Sequence, residues 1–497
     1  MKFLKKTLAY ILPAMMILGG TTACSDFIDI DPENKVPEQS VDFTNKSNMY
    51  QPVIGVYSKV RTSGMHWANA LIMFTRDGDV WSGRTDDQGG AVDFGRHFNY
   101  TNSFWALNNV WVTFYEIIRI ANSALVSLDG YAQYLTPGSS DYETYEAYCG
   151  EVRTLRAWAY YQLVTNFGPI VIYRDNLQTD FRRSNVNAVY DYMLEEDLNY
   201  AMDKLPRMRP NQMAHQGAVT AYTAEMLAAK IYLLKEDYAK VETLTDDIIN
   251  NGGFSLYPDY YNLFKIPGKL CDESLLECQV TDFGNGSGEY IGVDQWFNFQ
   301  GATLKDPATG TSIAGWNFIG YEPEFVAWAD ARGETVRAET SFLRAGQLTR
   351  EGWEVGAASG TSTDCWNGKG YLPYNQMTEG RTEYGANNNV RIFRYSEVLL
   401  MNSEAKIRLG KDGDSGYNLV RARAEMPTKT GVTLEDVLDE RRMELCSEWC
   451  TRYVDLVRTG KAATELGPKG WTVDKTYWPI PSNQLDDLPD LKLDPID

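Results

Sequence analysis

The chemistry this sequence offers is concentrated in aromatic side chains within two irregular stretches. Trp67 and Trp81 lie in residues 62–102, which are rich in Gly, Asn and Asp, and Trp81 closes the run Asp77-Gly78-Asp79-Val80-Trp81, an aromatic with carboxylates beside it. Residues 254–390 hold Trp296, Trp316, Trp353 and Trp366, with Arg381 and Tyr384 near the end. Loop-borne Trp and Tyr present flat amphipathic surfaces. Such a surface can stack on an apolar face of a ligand while Asp, Asn or Arg alongside meet its polar groups. These residues are therefore the expected ligand contacts, with core packing as the competing role for each. Trp105, Trp111, Trp158 and Trp449 are assigned instead to helix-borne core.

Bond-breaking chemistry is less well supplied. The three His residues, His66, His97 and His215, stand in no zinc or triad context. Gly284-Asn285-Gly286-Ser287-Gly288 lacks the helix that a phosphate-cradling loop needs, and Asp412-Gly413-Asp414-Ser415-Gly416 lacks the closing Glu of a calcium loop. No metal ligand set and no cofactor are expected, and a structural calcium is left open. A glycosidase needs only two placed carboxylates, and 67 Asp and Glu leave that open too. A net charge of −20 argues against nucleic acid, whose phosphates call for clustered Lys and Arg.

The N-terminus is signal-like. Lys2, Lys5 and Lys6 precede an apolar run, Leu8 to Leu18, too short to span a bilayer, and small residues lead to Cys24. This reads as a lipoprotein box: residues 1–23 removed, Cys24 acylated, and 24–45 an acidic tether to a single domain, 46–497. The other six Cys are too few for a disulfide framework in a chain this long, and Cys446 and Cys450, four apart on an expected helix, are read as buried thiols.

The elements that must position the aromatics are mainly helical. Periodicity predicts helices near Val41–Arg61, Phe104–Leu128, Tyr142–Asn166 (stopped by Gly168-Pro169) and Val186–Leu205. Helix–turn–helix units follow at 220–250 and 395–424, with small residues on the facing sides, in the manner of tetratricopeptide pairs. The intervening 254–390 reads as an inserted lobe of long loops and short strands such as Ser274–Val280.

Five stretches together resemble the SusD/RagB family. They are Trp111-Val112-Thr113-Phe114-Tyr115 with Ala121-Asn122; Glu151 to Ala157 with Tyr160, Tyr161 and Gly168; Thr220–Phe264; Val390-Arg391 through Ala424; and Leu438–Leu445 with Glu448, Arg452, Asp455 and Arg458. Ile480-Pro481 fits the closing element. Two positions depart from the pattern: Trp449-Cys450 where Gly is usual after Glu448, and Asp330-Ala331-Arg332 for Asp-Pro-Arg. The resemblance implies a mainly α scaffold of four tetratricopeptide-like pairs with an irregular lobe. It also implies a lipid-anchored, surface-exposed outer-membrane protein that binds a glycan without cleaving it. Such a protein passes its ligand to a SusC-like TonB-dependent transporter. Peptide capture and surface glycoside hydrolysis are the alternatives.

Overall fold

The computed structural model describes residues 41–281, 294–358, 360–361, 364–383 and 385–496. Cys24, most of the tether, the Gly284–Gly288 loop and Tyr384 lie outside them. All elements below belong to one unit, Met49–Asp497.

In chain order the principal helices are α1 (Gln51–Lys59), α2 (Trp67–Met73), α3 (Gly89–Arg96), α4 (Trp105–Ala132), α5 (Ser140–Phe167), α6 (Val186–Tyr192), α7 (Asn199–Lys204), α8 (Ala221–Leu234), α9 (Tyr238–Asn251), α10 (Asp294–Gln300), α11 (Pro323–Arg332), α12 (Tyr395–Arg408), α13 (Asp414–Arg423), α14 (Leu434–Glu444) and α15 (Thr451–Arg458). The main packing contacts are α1 on α4, α4 on α5, α5 and α8 on α7, α8 on α9, α9 on α12, and α12 on α13 and α14. The fold is thus mainly α, a stack of helix pairs, as expected.

Local chemistry sets the ends. α5 begins on Ser139, whose Oγ accepts the Tyr142 N–H at 3.3 Å, and Asp141 and Glu143 complement the helix dipole in its first turn. It ends at Gly168, where φ is +73° and a Cβ would meet the Tyr477 ring at 2.6 Å. α6 and α7 form one path through a π turn, Met193–Leu198, so the helix expected over Val186–Leu205 is present with a bulge.

The irregular lobe is built on short antiparallel strands. β1 (Val80–Ser82), β5 (Ile319–Tyr321), β8 (Cys365–Asn367) and β6 (Phe342–Arg344) form one sheet in that order. β2 (Ser274–Cys278) pairs with β9 (Val390–Arg394), and β4 (Ser312–Ile313), β3 (Leu304–Lys305) and β7 (Glu354–Val355) form a third sheet. The first sheet joins the two irregular stretches, because β1 comes from one and its partners from the other.

A buried ion network fastens the lobe to the scaffold. Arg394 donates to Glu273 (2.7 Å), Glu444 (3.0 Å) and Glu448 (2.7 Å), and Arg337 to Glu334 (2.6 Å) and Glu440 (2.5 Å). Burial alone would push the Glu444 carboxyl up, but Arg423, Arg394 and Arg337 together hold it well below the usual range.

Three expectations are corrected. The first helix of this unit starts at Gln51, not near Val41, and residues 62–102 contain α2 and α3, of 7 and 8 residues, too short to show a helical period. Cys446 and Cys450 do not share a helix: α14 ends at Glu444, and Ser447, Trp449 and Cys450 all take left-handed conformations (φ 54°, 53° and 54°). The backbone there has the form that glycine adopts most readily. None of the six described cysteines is in a disulfide.

Candidate functional site

Three tryptophans from separate elements meet at the surface. Trp67 opens α2, Trp105 opens α4, and Trp316 lies between β4 and β5. Trp67 contacts Trp105 with ring centroids 5.7 Å apart and planes at 62°, and Trp316 at 5.9 Å and 80°. Trp67 and Trp316 are half-buried, and Trp105 is 44% exposed. Apolar rings beneath support the cluster: Phe299 of α10 lies 5.6 Å from Trp67 and stacks on Phe318 at 5.2 Å.

Each ring is held by its own backbone. His66 caps α2, its Nδ1 accepting the Ala68 N–H at 3.2 Å. The Trp316 N–H donates to the Asn298 carbonyl at 2.7 Å. Asn317 beside it is left-handed (φ 57°), its Oδ1 accepting from the Thr303 N–H at 3.3 Å and hydroxyl at 3.2 Å. Asn is one of the few side chains that tolerate such a turn.

Polar groups ring the cluster. Asn109 of α4 donates to the Asn69 Oδ1 at 2.8 Å, and the Trp316 indole N–H points to the exposed Glu383 at 3.5 Å. Burial lowers the His66 pKa, so its ring is neutral near pH 7. With Nδ1 accepting a backbone N–H, its proton sits on Nε2, which can donate outward. The arrangement is three indole surfaces at steep angles with amide, imidazole and carboxylate groups on the rim. It suits a ligand with apolar faces and many hydroxyls.

Of the sequence-expected residues, the structure brings Trp67 and Trp316 together. Trp353 is half-buried elsewhere on the lobe, beside Tyr374, and Arg381 is half-buried in the loop before Glu383. Five others are corrected. Trp81 and Trp366 are 1% and 0% exposed, and both stand opposite Gly320 in neighbouring strands of the first sheet. Trp296 is buried against Phe74 and Trp449. Asp79 is buried in ion pairs with Arg442 (2.6 Å) and Arg452 (2.8 Å). Asp77 is buried and accepts the backbone N–H groups of Asp79 and Val80 at 2.8 and 2.9 Å. None of these five offers a ligand a free face.

Trp105, expected in the core, is instead 44% exposed. The signal was present: its helical neighbours at +3 and +4 are Asn108 and Asn109, whereas the buried stripe of α4 runs through Leu107, Val110, Trp111 and Phe114. Trp111 and Trp158 are core residues as expected, while Trp449 is half-buried and lies in the turn before α15 rather than on a helix.

The profile described as "SusD family" matches residues 234–495, and one described as "Starch-binding associating with outer membrane" matches residues 26–233. The chain belongs to the SusD family. A SusD-like protein of Bacteroides ovatus is 23% identical, covering 91% of this chain and 82% of its own, and SusD-like protein P38 of Formosa agariphila is 24% identical, covering 99% of each. Among solved structures, a laminarin-binding SusD-like protein superposes with a TM-score of 0.75 at 23% identity, covering 90% of this chain and 98% of its own. Surface glycan-binding protein A from Bacteroides thetaiotaomicron, in complex with laminarihexaose, superposes with a TM-score of 0.73 at 22% identity, covering 89% and 97%.

Proposed function

We propose that this protein is a cell-surface glycan-binding lipoprotein, anchored through Cys24, that holds a polysaccharide at the Trp67–Trp105–Trp316 cluster without cleaving it. It passes the polymer to a SusC-like TonB-dependent transporter. The observation that carries the reading is the meeting of three partly exposed indoles from three distant elements, rimmed by polar groups. Similar proteins with bound laminarihexaose and with xylogluco-oligosaccharide support the ligand class. The outer-membrane description of the N-terminal profile supports the location. Carboxylates pushed up to about 7, as a general acid requires, are Asp77, Glu151 and Glu225. Each is buried with structural partners in the scaffold, so none favours hydrolysis.

The test is affinity electrophoresis through gels containing laminarin or xyloglucan, repeated with the Trp67→Ala/Trp316→Ala variant. The variant should lose at least ten-fold in affinity, about 1.4 kcal/mol, while its thermal midpoint stays within a few degrees. An unchanged affinity removes the cluster from the site. Reducing ends released in steady turnover, and abolished by one carboxylate substitution, would replace binding with hydrolysis.

A further inference from the structure

We propose that Trp353 and Tyr374 form a second saccharide platform on the inserted lobe, so that one polymer engages both this pair and the Trp67 cluster. The inference rests on the glycan-binding reading above.

The two rings are 5.0 Å apart, with planes at 34°. Tyr374 is 37% exposed and Trp353 half-buried, and Leu348 beside the hairpin is 60% exposed, so the apolar surface here is open. Both rings stand on stiff supports. Trp353 follows a tight hairpin turn in which the Thr349 N–H donates to the Trp353 carbonyl at 2.8 Å and Gly352 is left-handed at φ 83°. The turn is tied down by Glu351, whose carboxylate accepts the hydroxyls of Tyr261 (2.6 Å) and Tyr371 (3.1 Å). The inner side of Trp353 packs on the cluster containing Leu304, Val355 and Trp366. Tyr374 begins a single 3-10 turn after Pro373, and Gln376 in that turn accepts the Ile266 N–H at 2.8 Å. A tilted rigid pair with the exposed amide of Asn375 alongside has the composition of a sugar-stacking surface.

The third sheet fixes the relation to the first cluster. β4 and β7 flank β3, so they are two strand spacings apart, about 10 Å. Leu304 pairs with both Ile313 and Val355, so Trp316 lies past one end of the sheet and Trp353 past the other. Extended at the ordinary strand rise and spacing, the chain from one to the other would place the two aromatic groups roughly 20 Å apart. A polymer can reach across this distance where a short fragment cannot, and simultaneous engagement raises the effective affinity without new contacts.

The experiment uses the mature protein and the same laminarin and xyloglucan gels. Trp353→Ala/Tyr374→Ala should weaken retention by the polymer that retards the wild type by about ten-fold. Its affinity for a tetrasaccharide cut from that polymer, read by isothermal titration, should stay unchanged. Trp353→Phe/Tyr374→Phe, which keeps an aromatic ring at both positions, should restore polymer binding and confirm that the lobe is folded. Equal polymer retention by the alanine variant, or an equal loss for tetrasaccharide and polymer, overturns the second platform and leaves the first reading standing. A wild type retarded by neither polysaccharide overturns both.

Discussion

Glu151 is a carboxylic acid buried among phenols. Its Oε2 accepts the Tyr57 hydroxyl at 2.7 Å and the Tyr50 hydroxyl at 3.0 Å, and the Tyr57 oxygen in turn accepts the Val219 N–H at 2.9 Å. Burial pushes its pKa up to about 7, against a smaller downward pull from the two hydroxyls. A raised folded-state pKa means that the native protein holds this proton while the unfolded chain releases it. Stability therefore falls as pH rises from about 4.5 to about 7. Glu151→Gln keeps an acceptor for the phenols and cannot ionise, so urea unfolding should show it more stable than wild type at pH 8, by about 1–3 kcal/mol, with little difference at pH 5. The slope should shrink rather than vanish, because burial also pushes Asp77 and Glu225 up to about 7. At this scale the sequence was half legible. Trp67 and Trp316 could be picked as loop aromatics, but nothing in the local pattern around Trp81 and Trp366 shows that both face Gly320, since strand register is a long-range property.

At the scale of elements, the junction after α5 shows how one glycine joins two parts of the chain. Gly168 has φ 73° and ψ −124°, a conformation that side chains with a Cβ rarely adopt, and the Tyr477 ring fills the space beside its Cα. Gly168→Ala should cost about 1–3 kcal/mol from backbone strain, with a further loss as Tyr477 is displaced, read as a lowered urea midpoint. The long helices were legible to within a few residues because period, caps and terminators agree over many turns: α4 and α5 have 28 residues each. α2, which carries Trp67, was not, and neither were most strands of the lobe, several of them 2 or 3 residues long. Elements this short are selected by the partners they pack on.

At the scale of the whole molecule, the proposed lipid anchor and the folded unit separate cleanly as predictions. Cys24→Ala should abolish labelling by a radiolabelled fatty acid and release the protein from the membrane fraction. Its thermal midpoint should stay that of the wild type, since the core of the Met49–Asp497 unit lies entirely downstream. Labelling that persists in the variant would remove Cys24 as the anchor.

The return of Trp478 to the first helices has a consequence for how the chain comes to be folded. Its N–H donates to the Asn166 carbonyl at 2.8 Å, and its ring fills the gap between Phe94, Phe167 and the Arg76 guanidinium. A ribosome must therefore deliver nearly the whole polypeptide before the earliest helices find their closing partner. Until then Phe94 packs on Tyr100 and Phe104, and Phe167 on Trp111, while the side that Trp478 covers stays open.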